Sequence, residues 1–111
     1  MNATITANTA TYANHMGWSD INPFEIVRVV SEKTIEIREM DAERDTSVTL
    51  DFAIGGFSAH CTNQHAQKWH ITSNDKYPIT RIRLSKNGWK DKHGRRFCLD
   101  IEPTRFYDYN F

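Results

Sequence analysis

The chain has 111 residues, no net formal charge, 39% hydrophobic and 25% charged residues. That leaves room for one domain with one modest core and excludes a disordered chain. No apolar run approaches the roughly 18 residues needed to span a membrane, and no basic-plus-apolar signal opens the chain, so the expected compartment is the cytoplasm.

In chain order, Met1 to Ala13 is rich in Thr, Ala and Asn. It fits a disordered lead or a weak edge strand, and the pattern does not separate the two. Asn14 to Asp20 is a turn region. Trp18 is expected there to seal an end of the fold rather than to stack a ligand, and His15 to be solvated. Asn22-Pro23 then stops any helix before Phe24 to Met40. In that stretch Val27 and Val29, then Ile35 and Ile37, recur with the period of two of half-buried strands, and the short Ser31-Glu32-Lys33 connection predicts a hairpin.

Asp41 to Asp45 is a charged loop. From Thr46 to Ile54 the alternation is the cleanest in the chain, with Val48, Leu50, Phe52 and Ile54 on one parity, which predicts a third strand over Ser47 to Ile54 facing the same core. Gly55-Gly56 ends it. Residues 57–68 show no period of two and fit a loop or a short helical turn, and Trp69 to Ile71 is a brief return to extended chain.

Ile79 to Leu84 places Ile82 and Leu84 inward and Arg81 and Arg83 outward. Asn87-Gly88 is a turn, Trp89 to Asp91 a short strand, and His93-Gly94 a second turn. Arg95 to Ile101 closes the series with Phe97, Leu99 and Ile101 on one face. The four rings of Phe106, Tyr107, Tyr109 and Phe111 carry more apolar area than a frayed end exposes, so the tail is expected to add a strand or an aromatic lid. The fold class is therefore mainly β: a small, strongly bent antiparallel sheet or barrel over residues 14–111, SH3-like with an OB-like alternative, after a flexible lead at 1–13.

Charge is unevenly laid out along the chain. Asp20 to Asp51 holds nine acidic groups against four basic, whereas Lys68 to Arg96 holds nine basic against two acidic. Such a dipolar chain can steer one face toward a polyanion or neutralise itself within the fold. In the basic region Arg81, Arg83, Lys86, Lys90, Lys92, Arg95 and Arg96 could hold phosphates, with Tyr77 and Trp89 as stacking surfaces for DNA or RNA.

Several short motifs resemble a family of small proteins encoded by phages and prophages. They are Gly17-Trp18-Ser19-Asp20, Val27 to Val30 followed by Lys33-Thr34-Ile35-Glu36-Ile37-Arg38, Lys86-Asn87-Gly88-Trp89, and the ending Tyr107-Asp108-Tyr109-Asn110-Phe111. The family pattern has a hairpin glycine where this chain has Glu32, and tyrosine and serine where it has Phe106 and Asn110. The resemblance implies a mobile-element origin and carries over no site.

The segment from His60 to His70 offers His60, Cys61, His65 and His70, nitrogen and sulfur donors of the kind that bind zinc, although the spacing matches no strong template. Cys61 and Cys98 are too few for a disulfide scaffold and fit two free, buried thiols. A Cys–His nucleophilic pair would also need an oxyanion site that nothing local supplies. No glycine loop of the phosphate-cradling kind is present.

The expected function is a non-enzymatic interaction protein without a cofactor. Its partner is expected to be a host or phage protein, with Phe106, Tyr107, Tyr109 and Phe111 as the contact. DNA or RNA binding through residues 68–96 is the first alternative, and a zinc-binding or cysteine-dependent enzyme the second. The sequence leaves the oligomeric state open.

Overall fold

The computed structural model describes residues 5–55 and 58–110, the side chains of residues 54, 55, 58 and 59 excepted. Over these residues the strands are β1 (Tyr12–Met16), β2 (Ile21–Asn22), β3 (Phe24–Ser31), β4 (Thr34–Arg44), β5 (Phe52–Gly55), β6 (Ser58–Cys61), β7 (Trp69–Ser73), β8 (Ile79–Ser85), β9 (Gly88–Lys90) and β10 (Arg96–Asp100). A 3-10 turn at Gln64–Ala66 is the helical element among them.

The alternation of Ile35 and Ile37 with Glu36 and Arg38 forms the inner wall of β4, which pairs with β3 on one side and β8 on the other. Its connection to β3 has two residues, Glu32 and Lys33, and no non-glycine residue described has positive φ. The primed turns that suit a twisted hairpin are thereby unavailable, and the ladder shifts register between Val29 and Ser31. Pairing continues from β8 to β9 to β10, and β10 returns to β1, which touches β3. Six antiparallel strands thus close a barrel in which each pairs with its successor along the chain and the last with the first. Closure leaves these six without an open edge.

Inside stand Phe24, Ile35, Ile37, Ile82, Phe97 and Leu99, with Ala7 and Ala13 beneath them. Phe24 and Phe97 meet edge to face, their ring centroids 5.2 Å apart. The end of the segment expected to be a flexible lead or edge strand, Tyr12 and Ala13, therefore begins a wall strand, and Ala7 and Ala13 join the core. Asn14, buried on β1, donates from Nδ2 to the Glu102 carbonyl at 3.1 Å and accepts the Thr104 N–H at 2.9 Å, fixing the chain that leaves β10.

Several expected core residues lie elsewhere. Val27 is half-buried, while Val29 and Leu84 are exposed near the strand ends beside the hairpin turns. Ile101, one residue beyond β10, is 61% exposed. The predicted strand over Ser47–Ile54 is confined to β5, which pairs with β6 and not with the barrel among the described residues. Val48 and Leu50 are half-buried and Phe52 is exposed; the Ile54 side chain lies outside the described residues.

β4 is longer than the barrel. Its second half, Met40 to Arg44, pairs with β7, so one strand runs from the barrel into an arm built of β5, β6, the 3-10 turn and β7. The radius of gyration, 16.0 Å, exceeds the roughly 13 Å of a compact chain of this length because of that extension.

The C-terminal segment straps the arm to the barrel. Phe106 and Ile21 exchange two backbone hydrogen bonds of 2.9 Å. The Asn110 amide clasps Cys61, accepting its N–H at 2.7 Å and donating to its carbonyl at 2.8 Å. Arg105 lies 5.0 Å from the Trp69 ring and 5.7 Å from the Tyr107 ring. Gln67 sits between these contacts. Its Oε1 accepts from Trp69 Nε1 (2.8 Å) and the Tyr107 N–H (2.9 Å), and its Nε2 donates to the carbonyls of Gln64 (2.8 Å) and Tyr107 (2.9 Å). Gln67→Leu should cost about 1–3 kcal/mol in unpaired groups. Hydrogen exchange should show the Tyr107 amide opening faster in the variant while Ile37 keeps its protection; unchanged exchange at Tyr107 would show that the strap is held by other contacts.

Candidate nucleic-acid interface

The basic surface is built by two turns. Gly88, at φ +98°, completes the Asn87-Gly88 turn and brings Arg83 opposite Lys90 and Leu84 opposite Trp89. On the next strand Arg96 is opposite Lys90 and Phe97 opposite Trp89. Because faces alternate, Trp89 and Phe97 go to the core side, and Arg83, Lys90 and Arg96 form one lateral row on the outer face. With neighbouring strands about 4.8 Å apart, this is a tight line of like charge. None of the three has an ion-pair partner among the described residues.

The second turn, between β9 and β10, is organised by Asp91, whose side chain is 1% exposed. Its Oδ1 accepts the N–H groups of His93 and Arg95, both at 2.9 Å, and its Oδ2 accepts Arg95 Nε at 2.6 Å. Burial pushes the Asp91 carboxyl up, but the hydrogen bonds from the Arg95 side chain and the two backbone N–H groups outweigh it and hold the carboxyl below its ordinary value. Gly94, at φ +81°, allows the chain to turn back.

Between β8 and this turn lies an open groove of about 620 Å³ with Arg81, Arg83, Lys90, Lys92 and Arg95 in its walls. Asp91 is the sole carboxylate among its lining residues and is already paired with Arg95. Arg81 is paired with Glu36 at 3.0 Å, and Glu36 also meets Arg28 at 3.7 Å. The uncompensated positive charge of the wall therefore rests on Arg83, Lys90 and Lys92. Lys86 is exposed on the β8–β9 turn.

The expected stacking residues are not in this groove. Tyr77 lines a separate polar hollow beside Met40 and Arg105, and its hydroxyl donates to Asp41 Oδ1 at 2.8 Å. That bond raises the phenol above its ordinary value. Trp89 is packed against the core. Trp18, expected to seal a barrel end, is 91% exposed. His15, expected in solvent, packs 5.3 Å from the Phe97 ring and 6.4 Å from that of Phe24, ring centre to ring centre. Burial, then the Arg95 charge, lowers its imidazole below the ordinary value.

The His/Cys segment is dispersed. His60 is exposed on β6 and His65 on the 3-10 turn. His70, also exposed, lies 3.5 Å from Asp45 on the arm. Cys61 is buried under Asn110, whereas Cys98 is exposed on β10, contrary to the expectation of two buried thiols. Among the described residues no three His, Cys, Asp or Glu side chains converge as metal ligands. In the tail, Tyr107 and Tyr109 meet edge to face with centroids 4.7 Å apart, and Tyr109 meets Phe52 edge to face at 6.0 Å. Phe111 lies outside the described residues.

Sequence inspection missed the buried Asp91 and the bare Trp18. Each had a local signal: Asp91 precedes the His93-Gly94 turn by two residues, and Trp18 is flanked by the turn formers Gly17, Ser19 and Asp20 rather than by a strand pattern. No family model, curated protein or solved structure matches the chain. Among the described residues no helix is long and apolar enough to cross a membrane.

Proposed function

We propose that the outer face of β8, β9 and β10 binds the phosphate backbone of nucleic acid. The observation that carries this is the row Arg83–Lys90–Arg96, three cations in lateral register across three strands with no carboxylate paired to them among the described residues. Like charges directly opposite in a sheet are destabilising, and a polyanion laid across them relieves that repulsion. The groove adds Lys92 at the same face, while Arg95 is held by Asp91. No Phe, Tyr or Trp lines the groove and its one ring is the imidazole of His93, so contacts there chiefly position a backbone.

Binding of a protein through the aromatic tail has less support, because the tail's backbone groups and rings are engaged with Ile21, Gln67, Cys61 and Phe52 of the same chain. A meander closed by pairing the last strand with the first fits an SH3-like barrel better than the Greek-key order of an OB-fold.

Fluorescence anisotropy with labelled generic duplex and single-stranded oligonucleotides tests the proposal. Neutralising three phosphates predicts roughly 20- to 40-fold weaker binding on raising salt from about 50 to about 200 mM. Arg83→Glu/Lys90→Glu should abolish saturable binding at the lower salt. Absence of binding by the wild type at about 50 mM salt, or equal binding by the double variant, would overturn it.

A further inference from the structure

We infer that Trp18 is the base-stacking residue of this interface and that its preferred ligand is single-stranded nucleic acid, an inference that rests on the phosphate-binding role of β8–β10. An indole with 91% of its surface in water forgoes the burial that normally places tryptophan in a core. Its position is nevertheless held. The Gly17 N–H donates to the Asp20 carbonyl at 2.9 Å, Asp20 Oδ1 accepts the Asp108 N–H at 2.8 Å, and the Ile21–Phe106 bridge follows at once. The turn thus presents the indole on a backbone that is already ordered before any ligand arrives.

Its location joins that face to the cationic groove. A Cβ at Gly17 would lie 3.7 Å from His15 Cε1, the His15 ring is 5.3 Å from that of Phe97, and the Arg95 guanidinium stands 5.8 Å over Phe97. Trp18 and the Arg95 side of the groove therefore share one end of the barrel. Asp20 and Asp108, joined by a hydrogen bond next to the turn, disfavour phosphate on their own side, and Arg95, over the Phe97 ring, attracts it at this end of the barrel.

The ligand class follows from the aromatic inventory of the site. Tyr77 is bonded to Asp41, Trp89 is packed on the core, and the groove's one ring is the small imidazole of His93, so the exposed indole at the same end of the barrel is the large stacking platform. In a duplex the base faces are already stacked on one another, whereas an unpaired base at the end of a bound strand has a free π-face for the indole.

The experiment uses the full chain and two probes of equal length, an oligothymidylate and a mixed-sequence duplex. Trp18→Ala should bind the single strand on the order of tenfold more weakly, and Trp18→Phe should bind it nearly as well as the wild type. Neither change should alter duplex affinity, the salt slope or thermal unfolding, since the indole touches little of the fold. The wild type should prefer the single strand. Unchanged single-strand affinity in Trp18→Ala, or a wild-type preference for duplex, would overturn the stacking role. If Arg83→Glu/Lys90→Glu still abolished binding, the phosphate-binding face would survive that failure. Failure of the wild type to bind either probe would overturn both.

Discussion

Ile82→Ala is expected to lower the unfolding free energy by about 2–5 kcal/mol, measured as a shift in the urea midpoint at constant slope. Ile82 is 0% exposed and lies opposite Ile35, itself 0% exposed, on the adjacent wall strand. Removing its outer carbons loses their transfer energy and leaves a cavity that the closed hydrogen-bonded wall has little freedom to fill. Leu84, two residues along the same strand, supplies the control. It is exposed near the strand end, and Leu84→Ala should cost under about 1 kcal/mol because little burial is lost there. Equal costs at the two positions would mean that the inner face of β8 extends to the turn, against the geometry described.

Asp91→Asn should destabilise the protein by about 2 kcal/mol at neutral pH, because three hydrogen bonds to a charged acceptor become weaker or are lost. The cost is kept below that of breaking a fully buried ion pair because the Arg95 side chain is 43% exposed. The effect carries a pH signature. The Asp91 carboxyl titrates below its ordinary 3.8 in the folded protein. Its stabilising contribution is therefore complete above the unfolded value and is lost as pH falls through the depressed one. The wild-type advantage over Asp91→Asn should be constant above about pH 5 and shrink on acidification below pH ~4. A difference that stayed constant down to pH ~2 would assign the loss to packing instead of charge.

The elements legible in the sequence are those whose burial is carried by large aliphatic residues at a period of two. Ile35 and Ile37, Ile82, and Phe97 with Leu99 mark β4, β8 and β10 in this way, and all are buried. β1 was illegible as a wall strand because its burial rests on Ala13 and Asn14, residues without a hydrophobic signal whose value lies in small volume and in bonds to Glu102 and Thr104. The alternation from Val48 to Phe52 misled for the converse reason: periodicity records a two-sided strand but not its partner, and here the partner was the following short strand, Ser58–Cys61. The outward parity of Arg81 and Arg83 was visible, but the alignment of Arg83, Lys90 and Arg96 depends on two turn geometries in succession. His60, His65 and His70, close in sequence, are separated because they stand on a strand, a 3-10 turn and another strand of the arm.

Closure of the barrel by β1 and β10 also sets an order of events. The wall's final seam joins the early part of the chain to residues near its end, as in the Asn14 bond to Glu102, whose partners are 88 positions apart. Contacts of such long separation demand that a large loop be closed before they contribute, which slows folding relative to a helical chain of equal size. During synthesis β3 and β4 can zip as soon as they emerge, yet β1 has no strand on its other flank until β10 has been made. Its unpaired edge is therefore open to other chains until β10 has been made, and completion of that strand removes it.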